Sequence, residues 1–282
     1  MAAVQPALSV LIPAHNGAPW IAQALSRIPV AAADLAWEAI VVDNASGDGT
    51  AALASSVPGV QVIVNGENRG FSSAVNLAAG RARGRILAVM NQDLYLKPGA
   101  LRALADFLSS GAAIAGGGLR SGDGRLQPSC GPFPSLAGTV ARLPVPARRR
   151  KYYLGALDQD KPSQVDWVTG AFFGFPREVL EGLSGFDEGF FMYYEDVDFC
   201  RRARDKGFPV YFLPAAEAVH VAPFAERADA PEWLCKEIRV SQMRYFDKHR
   251  PRFEAAAIRG LNRAYFAAKG WDWPPVSRAA AA

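Results

Sequence analysis

The N-terminal third of the chain alternates short apolar runs with amphipathic stretches, and this restricts the fold more than any other feature. Leu8 to Ile12 is a largely apolar run closed by Pro13, and Trp20 to Ile28 follows with apolar residues at helical spacing. Glu38 to Val42 reads as a second strand, a helix is expected to start near Thr50, and Val60 to Val64 reads as a third strand. Phe71 to Arg83 reads as a helix and Arg85 to Met90 as a fourth strand. Pro98 is expected to open a helix that runs to Leu108. Strands alternating with helices build a parallel, doubly wound α/β sheet. Such a sheet takes its ligand in the crevice outside the carboxyl ends of its strands. Three polar clusters fall at those ends: Ala14-His15-Asn16, Asp43-Asn44 and Asn91-Gln92-Asp93.

The remainder is less regular. Gly111 to Gly131 is rich in Gly and Ser and predicts a short strand plus loops. Several prolines between Pro128 and Pro146 lead into Arg148-Arg149-Arg150-Lys151 and Tyr152-Tyr153, which predicts a mobile surface loop. Glu195 to Lys206 reads as a helix with acids in its first turn, bases in its last, and Gly207 as its stop. Pro209 to Leu213 reads as a strand with His220 shortly beyond it. Glu232 to His249 and Phe253 to Lys269 read as helices, and the Ala-rich end is expected to fray.

Composition narrows the classes. Half of the 282 residues are hydrophobic and 21% are charged, which excludes a disordered or collagen-like chain. The 31 Lys and Arg against 27 Asp and Glu leave a net charge of +4, far from a nucleic-acid-binding signature. No apolar run approaches the roughly 18 residues of a membrane span, and the first residues lack the pattern of an export signal. Three scattered cysteines, Cys130, Cys200 and Cys235, suit neither a disulfide framework nor a zinc site; a cytoplasmic protein is expected.

Several residues are candidates for chemistry. Asp43, at a strand end, is placed to accept hydrogen bonds from a nucleobase or ribose, or else to cap its turn. Asp93 offers an oxygen ligand to a hard divalent cation on a diphosphate, or else serves a turn. Gly70 lies where a helix begins, next to Arg69, an arrangement that suits anions. The aromatic run Phe190 to Tyr194 leads into Glu195, Asp196 and Asp198. Those acids either complement the helix dipole or supply a general base at the rim of an aromatic cleft. His220 sits between Val219 and Val221 and gains significance only beside a metal.

Taken together, Leu8 to Asn16, Ile40 to Thr50, Glu67 to Phe71, Met90 to Asp93, Gly170-Ala171, Gly185 to Glu188 and Glu195 to Arg201 resemble family 2 glycosyltransferases of the GT-A fold. The resemblance is to the rhamnosyltransferase-like branch and covers roughly residues 7–221, with the motifs in the family's order. It implies a GT-A domain over 1–221, with a Rossmann-like nucleotide half to about 110 and an acceptor half beyond. Residues 222–282 would form a C-terminal helical extension, packed on the core or forming a homodimer face.

By the same resemblance, Pro13, Ala14 and Asn16 would line the nucleoside pocket, Asp43 would hold the base, and Asn68, Gly70 and Phe71 would close over it. Asp93 would be the last acid of the Asp-x-Asp motif and would ligate Mg²⁺ or Mn²⁺, with His220 as a further ligand. Asn91 replaces the first acid; it can hydrogen-bond a ribose hydroxyl but brings no charge. Asp196, paired with Glu195, would deprotonate the acceptor hydroxyl. Trp167, Gly170 and Ala171 would face the acceptor or donor sugar. The implied reaction moves a sugar, rhamnose from dTDP-rhamnose or another UDP or dTDP sugar, to a saccharide or lipid-linked acceptor with inversion.

Rival readings are weaker. A Rossmann oxidoreductase needs Gly-x-Gly-x-x-Gly after the first strand, and Pro13 to Pro19 does not match. A nucleotidyltransferase would carry a Gly-rich basic loop there. A non-catalytic sugar-nucleotide-binding subunit is kept open by Asn91 but is disfavoured by Glu195, Asp196 and His220. Arg148 to Tyr153 would either touch anionic phospholipid at the inner membrane face or form a solvated loop.

Overall fold

The computed structural model describes residues 5–142, 160–222 and 231–273. The run Arg148 to Tyr153 and the Ala-rich end lie outside them.

The N-terminal part runs β1 (Leu8–Ala14), α1 (Ile21–Ser26), α2 (Ile28–Ala32), β2 (Trp37–Asp43), α3 (Thr50–Ser55), β3 (Val60–Val64), α4 (Gly70–Arg81), β4 (Ile86–Met90), β5 (Leu94–Leu96) and α5 (Ala100–Leu108). After it come β6 (Ile114–Ser121), β7 (Leu126–Gln127), β8 (Cys130–Gly131), α6 (Leu136–Arg142), β9 (Ser163–Gln164), β10 (Trp167–Val168), β11 (Phe172–Pro176) and α7 (Arg177–Gly182). The chain continues through α8 (Glu195–Asp205), β12 (Val210–His220), α9 (Glu232–His249) and α10 (Arg252–Lys269).

The main sheet has the order β3-β2-β1-β4-β11-β6-β12-β5. β3, β2, β1 and β4 are parallel, as the alternation predicts. Side chains alternate between its faces with the period of two that a strand imposes. Val10 and Ile12 of β1 face one core with Leu101 and Leu104 of α5, while Leu11 faces the other with Val75 of α4 and Phe199 of α8. Both faces are buried under helices, which is why these strands read as apolar runs.

Several local expectations change. The helix expected over Trp20 to Ile28 breaks into α1 and α2, because Pro29 has no N–H to donate and its ring clashes with the preceding turn. Pro98 precedes its helix instead of opening it; Gly99 is the cap and Ala100 the first helical residue. Gly111 to Gly131 carries the eight-residue strand β6, longer than expected. Its glycines hid it, but they are needed: a Cβ on Gly117 would collide with the Ala216 carbonyl and the Phe172 ring. In the stretch expected to be a loop, β8 pairs with β10, and Ser135 caps α6 through its Oγ to the Gly138 N–H at 3.1 Å.

The change that matters most for the site is in β12. It does not stop at Leu213 but passes an irregularity between Leu213 and Glu217 and continues to His220. Pro214 sits in that irregularity, where a missing ladder donor is tolerated. The far end of β12 pairs antiparallel with β5, setting His220 opposite Leu94. The two C-terminal helices close a third apolar cluster, with Tyr245, Phe246 and Ile258 packed on Phe190 and Val197.

Candidate active site

A cavity of about 590 Å³ opens at the carboxyl ends of the strands. Pro13, Ala14, Asn16, Asn68, Gly70, Phe71, Asn91, Asp93, Gly170, Ala171, Glu195, Asp196 and His220 line it together. Two residues expected at the site, Asp43 and Trp167, stand off its wall. Asp43 is buried and spends its carboxylate on the N–H and Oγ of Ser46, bracing the turn in which Ala45 has φ 56°. Trp167 donates from Nε1 to the Pro132 carbonyl at 2.9 Å and packs beside Gly131.

Polar crosslinks hold the strand ends level. Gln92 and His15 bond reciprocally: the His15 N–H donates to Gln92 Oε1 at 3.0 Å, and Gln92 Nε2 to the His15 carbonyl at 2.9 Å. Asn44 donates to the Gly70 carbonyl at 3.0 Å and accepts from Asn65 Nδ2 at 2.8 Å. It therefore ties β2, β3 and the start of α4 together. Gly70 has φ 83°, and the Phe191 carbonyl lies 2.5 Å from where its Cβ would be, so only glycine fits. The Phe71 N–H donates to that carbonyl at 2.7 Å, joining the start of α4 to the loop before α8.

Asp93 and His220 meet because β5 pairs with β12. The Val221 N–H donates to the Asp93 carbonyl at 3.1 Å, and His220 Nε2 lies 3.3 Å from Asp93 Oδ1. Gln127 on β7 orients the ring. Its Nε2 donates to the His220 carbonyl at 3.3 Å, which turns its Oε1 to His220 Nδ1 at 3.2 Å. With Nδ1 donating to Gln127 Oε1, the lone pair of Nε2 would be left for a cation shared with the Asp93 carboxylate. Asn91 Nδ2 makes only a long contact with Nε2, at 3.4 Å. Two ligands at about 2.1 Å from one cation, near a right angle, lie about 3 Å apart, so this pair suits a divalent ion. No cluster of three or more His, Cys, Asp or Glu surrounds the point among the described residues. The remaining coordination would have to come from substrate oxygens and water.

At the start of α8 two carboxyls share one end of the cavity. Burial raises Asp196, against the pull of N–H donors from Gly170 and Val197, each at 2.8 Å. Burial and the neighbouring Asp196 charge raise Glu195 well above the usual carboxylate range, and its Oε2 has no hydrogen-bond partner among the described residues. The environments separate their roles. Glu195 is pushed further toward the neutral form than Asp196, which has two backbone donors and an open side toward the cavity. Tyr193 and Tyr194 before them both have positive φ, 67° and 63°, a strained entry of the kind that collects at functional sites. Burial, together with the neighbouring Glu195 and Asp196 carboxyls, also raises the Tyr193 phenol, which lines the cavity.

A buried ionic cluster fixes α8. Asp198 is fully buried and receives Arg202 Nε, Lys248 Nζ and His249 Nε2, each at 2.7 Å. Burial pushes its carboxyl up, but the His249 hydrogen bond and the Arg202 charge outweigh that and bring it down to about 2. Asp187 adds Arg244 at 2.8 Å and Lys248 at 2.7 Å. The helix carrying Asp196 is thereby bolted to α9.

His15, Asn44 and Gln92 also line the cavity and belong to polar clusters visible in the sequence. Gln127, Tyr193 and Trp233 line it too. Tyr193 lay in the aromatic run before Glu195, but Gln127 and Trp233 carried no local signal, since strand pairing and helix packing bring them in.

A sequence model of the family described as Glycosyl transferase family 2 matches residues 9–183. The N-acetylglucosaminyl-diphospho-decaprenol L-rhamnosyltransferase of Mycobacterium tuberculosis is 30% identical over 229 residues, covering 74% of this chain and 75% of that protein. The crystal structure of GalNAc-T7 with UDP, GalNAc and Mn²⁺ superposes with a TM-score of 0.58 at 16% identity, covering 86% of this chain and 48% of that one. S. aureus TarS 1-349 in complex with UDP superposes with a TM-score of 0.56 at 16% identity, over 92% of this chain and 72% of that one.

Proposed function

The chain belongs to glycosyl transferase family 2 and is a glycosyltransferase with the GT-A fold, and from that premise we propose that it moves a deoxyhexose, rhamnose from dTDP-rhamnose, onto a sugar hydroxyl of a lipid-linked saccharide with inversion. One observation carries the reading: a cation-suited pair, Asp93 and His220, and a base-suited carboxylate, Asp196, line the same cavity. The 30% identical relative is named for transferring L-rhamnose to an N-acetylglucosaminyl-diphospho-lipid, which supports the donor and acceptor classes.

The residues divide the work. Pro13 to Asn16 and Asn68 to Phe71 enclose the nucleoside, with Asn44 and Gln92 keeping those segments in register. Asp93 and His220 would hold Mg²⁺ or Mn²⁺, which when bound supplies positive charge to the leaving diphosphate. Asp196 accepts the proton of the attacking hydroxyl, and Glu195 beside it, pushed toward the neutral form by burial and by the Asp196 charge, opposes that charge less. One base and one leaving-group site give a single displacement, so the anomeric configuration inverts.

Thermal unfolding with dTDP-rhamnose, UDP-sugars and GDP-sugars, each with Mn²⁺ or EDTA, tests the reading. A ligand at 100 times its Kd stabilises the folded state by about 2.7 kcal/mol. A shift with dTDP-rhamnose and Mn²⁺ that disappears in EDTA is expected. An equal shift in EDTA, or a shift confined to GDP-sugars, would remove the metal or the donor from the proposal.

Gln127→Leu provides an independent check. Loss of an outer hydrogen bond to a ligating His weakens metal affinity by about 10–100-fold. The variant should show that loss in a Mn²⁺ titration followed by electron paramagnetic resonance, with its fold intact by circular dichroism. Unchanged Mn²⁺ affinity would mean that Gln127 does not set the His220 tautomer.

A further inference from the structure

The cavity is not built by the family's core alone. Ala222, Pro231 and Trp233 form part of its wall, and all three lie beyond residues 9–183. Trp233 is half-buried in the first turn of α9. Met192 and Tyr193, which line the same cavity, precede Glu195 and Asp196.

The position of α9 is tightly set. Ser241 Oγ donates to the Met192 carbonyl at 2.9 Å, which pins the middle of the helix to the loop before α8. At its far end Lys248 and His249 reach the buried Asp198. Tyr245 and Phe246, both fully buried, pack between. A helix anchored at three levels presents its first turn at a fixed place relative to Asp196, as a specificity site requires.

The nucleoside end of the cavity is occupied by strand-end residues and the cation end by Asp93 and His220. The rest of the lining, Trp233 included, is left for the molecule whose hydroxyl Asp196 deprotonates. An indole offers a rigid apolar face with a polar edge, which matches a pyranose ring, apolar on its C–H face and polar around its rim. We propose that Trp233 is a specificity-determining residue that stacks on the acceptor's hexopyranose ring, so that the C-terminal helix α9 supplies one wall of the acceptor subsite. The inference rests on the glycosyltransferase reading above and deepens it.

The test separates acceptor from donor. The probe is a soluble N-acetylglucosaminyl diphosphate ester with a short alkyl chain, titrated by calorimetry in the presence of dTDP and Mn²⁺; dTDP with Mn²⁺ is titrated separately. Trp233→Ala should weaken binding of the ester by about tenfold or more, the scale of a truncated buried aromatic anchor, with dTDP affinity unchanged. Trp233→Phe, which keeps an aromatic face, should restore most of the loss. In turnover the Ala variant should raise the acceptor KM by more than it changes kcat. Ester affinity equal to wild type in the Ala variant would overturn the proposal, as would parallel loss of dTDP and ester binding, the mark of a merely structural role. If the wild type binds dTDP but not the ester, the acceptor class assigned to Trp233 is wrong while the donor reading stands.

Discussion

Asp196→Asn is expected to slow sugar transfer by about 10²–10⁴-fold, the usual contribution of a positioned general base. The substitution keeps the side chain's size and leaves an acceptor for one of the two backbone donors, Gly170 N–H or Val197 N–H. Binding of dTDP-rhamnose should therefore persist in calorimetry. The pH profile adds a second criterion. A base works when deprotonated, so activity falls as pH drops through its pKa. Burial raises Asp196, so the acid limb of kcat/KM in the wild type should lie above the ordinary carboxylate range. The residual activity of the variant should lose that limb. Near-normal transfer by Asp196→Asn on the true acceptor would falsify the assignment of the base.

Asp198→Asn is expected to produce the largest loss of stability. Asp198 is fully buried among Arg202, Lys248 and His249, and Arg202 Nη2 is itself buried without a partner among the described residues. Removing one side of a buried ionic cluster leaves uncompensated charge and costs about 3–5 kcal/mol. At this chain length that lowers the thermal midpoint by on the order of 10 °C. The sign with pH follows from the depressed carboxyl, brought to about 2. Its stabilisation is fully present above the unfolded carboxylate range near 4 and is lost as pH falls toward 2. The gap between wild type and variant should be wide at pH 7 and should close below about pH 4. Asp205→Asn is the control: its pair with Arg201 is exposed and is worth about 1 kcal/mol or less. Urea unfolding of both variants at neutral and acid pH makes the comparison; equal losses would show that the Asp198 cluster does not anchor α8.

That cluster also shows where sequence reading stopped. Glu195, Asp196 and Asp198 stand within four positions of one helix start and are indistinguishable as a row of acids at a positive dipole end. The fold assigns them three different states. Asp198 points under the C-terminal helices with its carboxyl pulled down, Glu195 is buried without a full set of partners and is pushed well up, and Asp196 is raised but keeps an open side to the cavity. A pKa depends on the charges and water within a few ångströms, and local sequence does not specify those for residues facing different neighbours.

The sequence by itself determined most of the N-terminal part. Strands β1 to β4, their parallel direction and the polar clusters at their ends follow from periods of two and of about 3.6, from prolines and glycines, and from the rule that such sheets bind ligands at strand ends. Those are interactions between residues close in the chain. Tertiary structure alone decided what joins distant segments. It extended β12 through an irregularity to bring His220 beside Asp93 and placed Gln127 behind the imidazole. It moved Asp43 and Trp167 off the cavity wall and brought Trp233 onto it. Register, irregularities and helix docking are set by how whole surfaces fit, and one missing Cβ at Gly117 or one buried charge at Asp198 is enough to decide them.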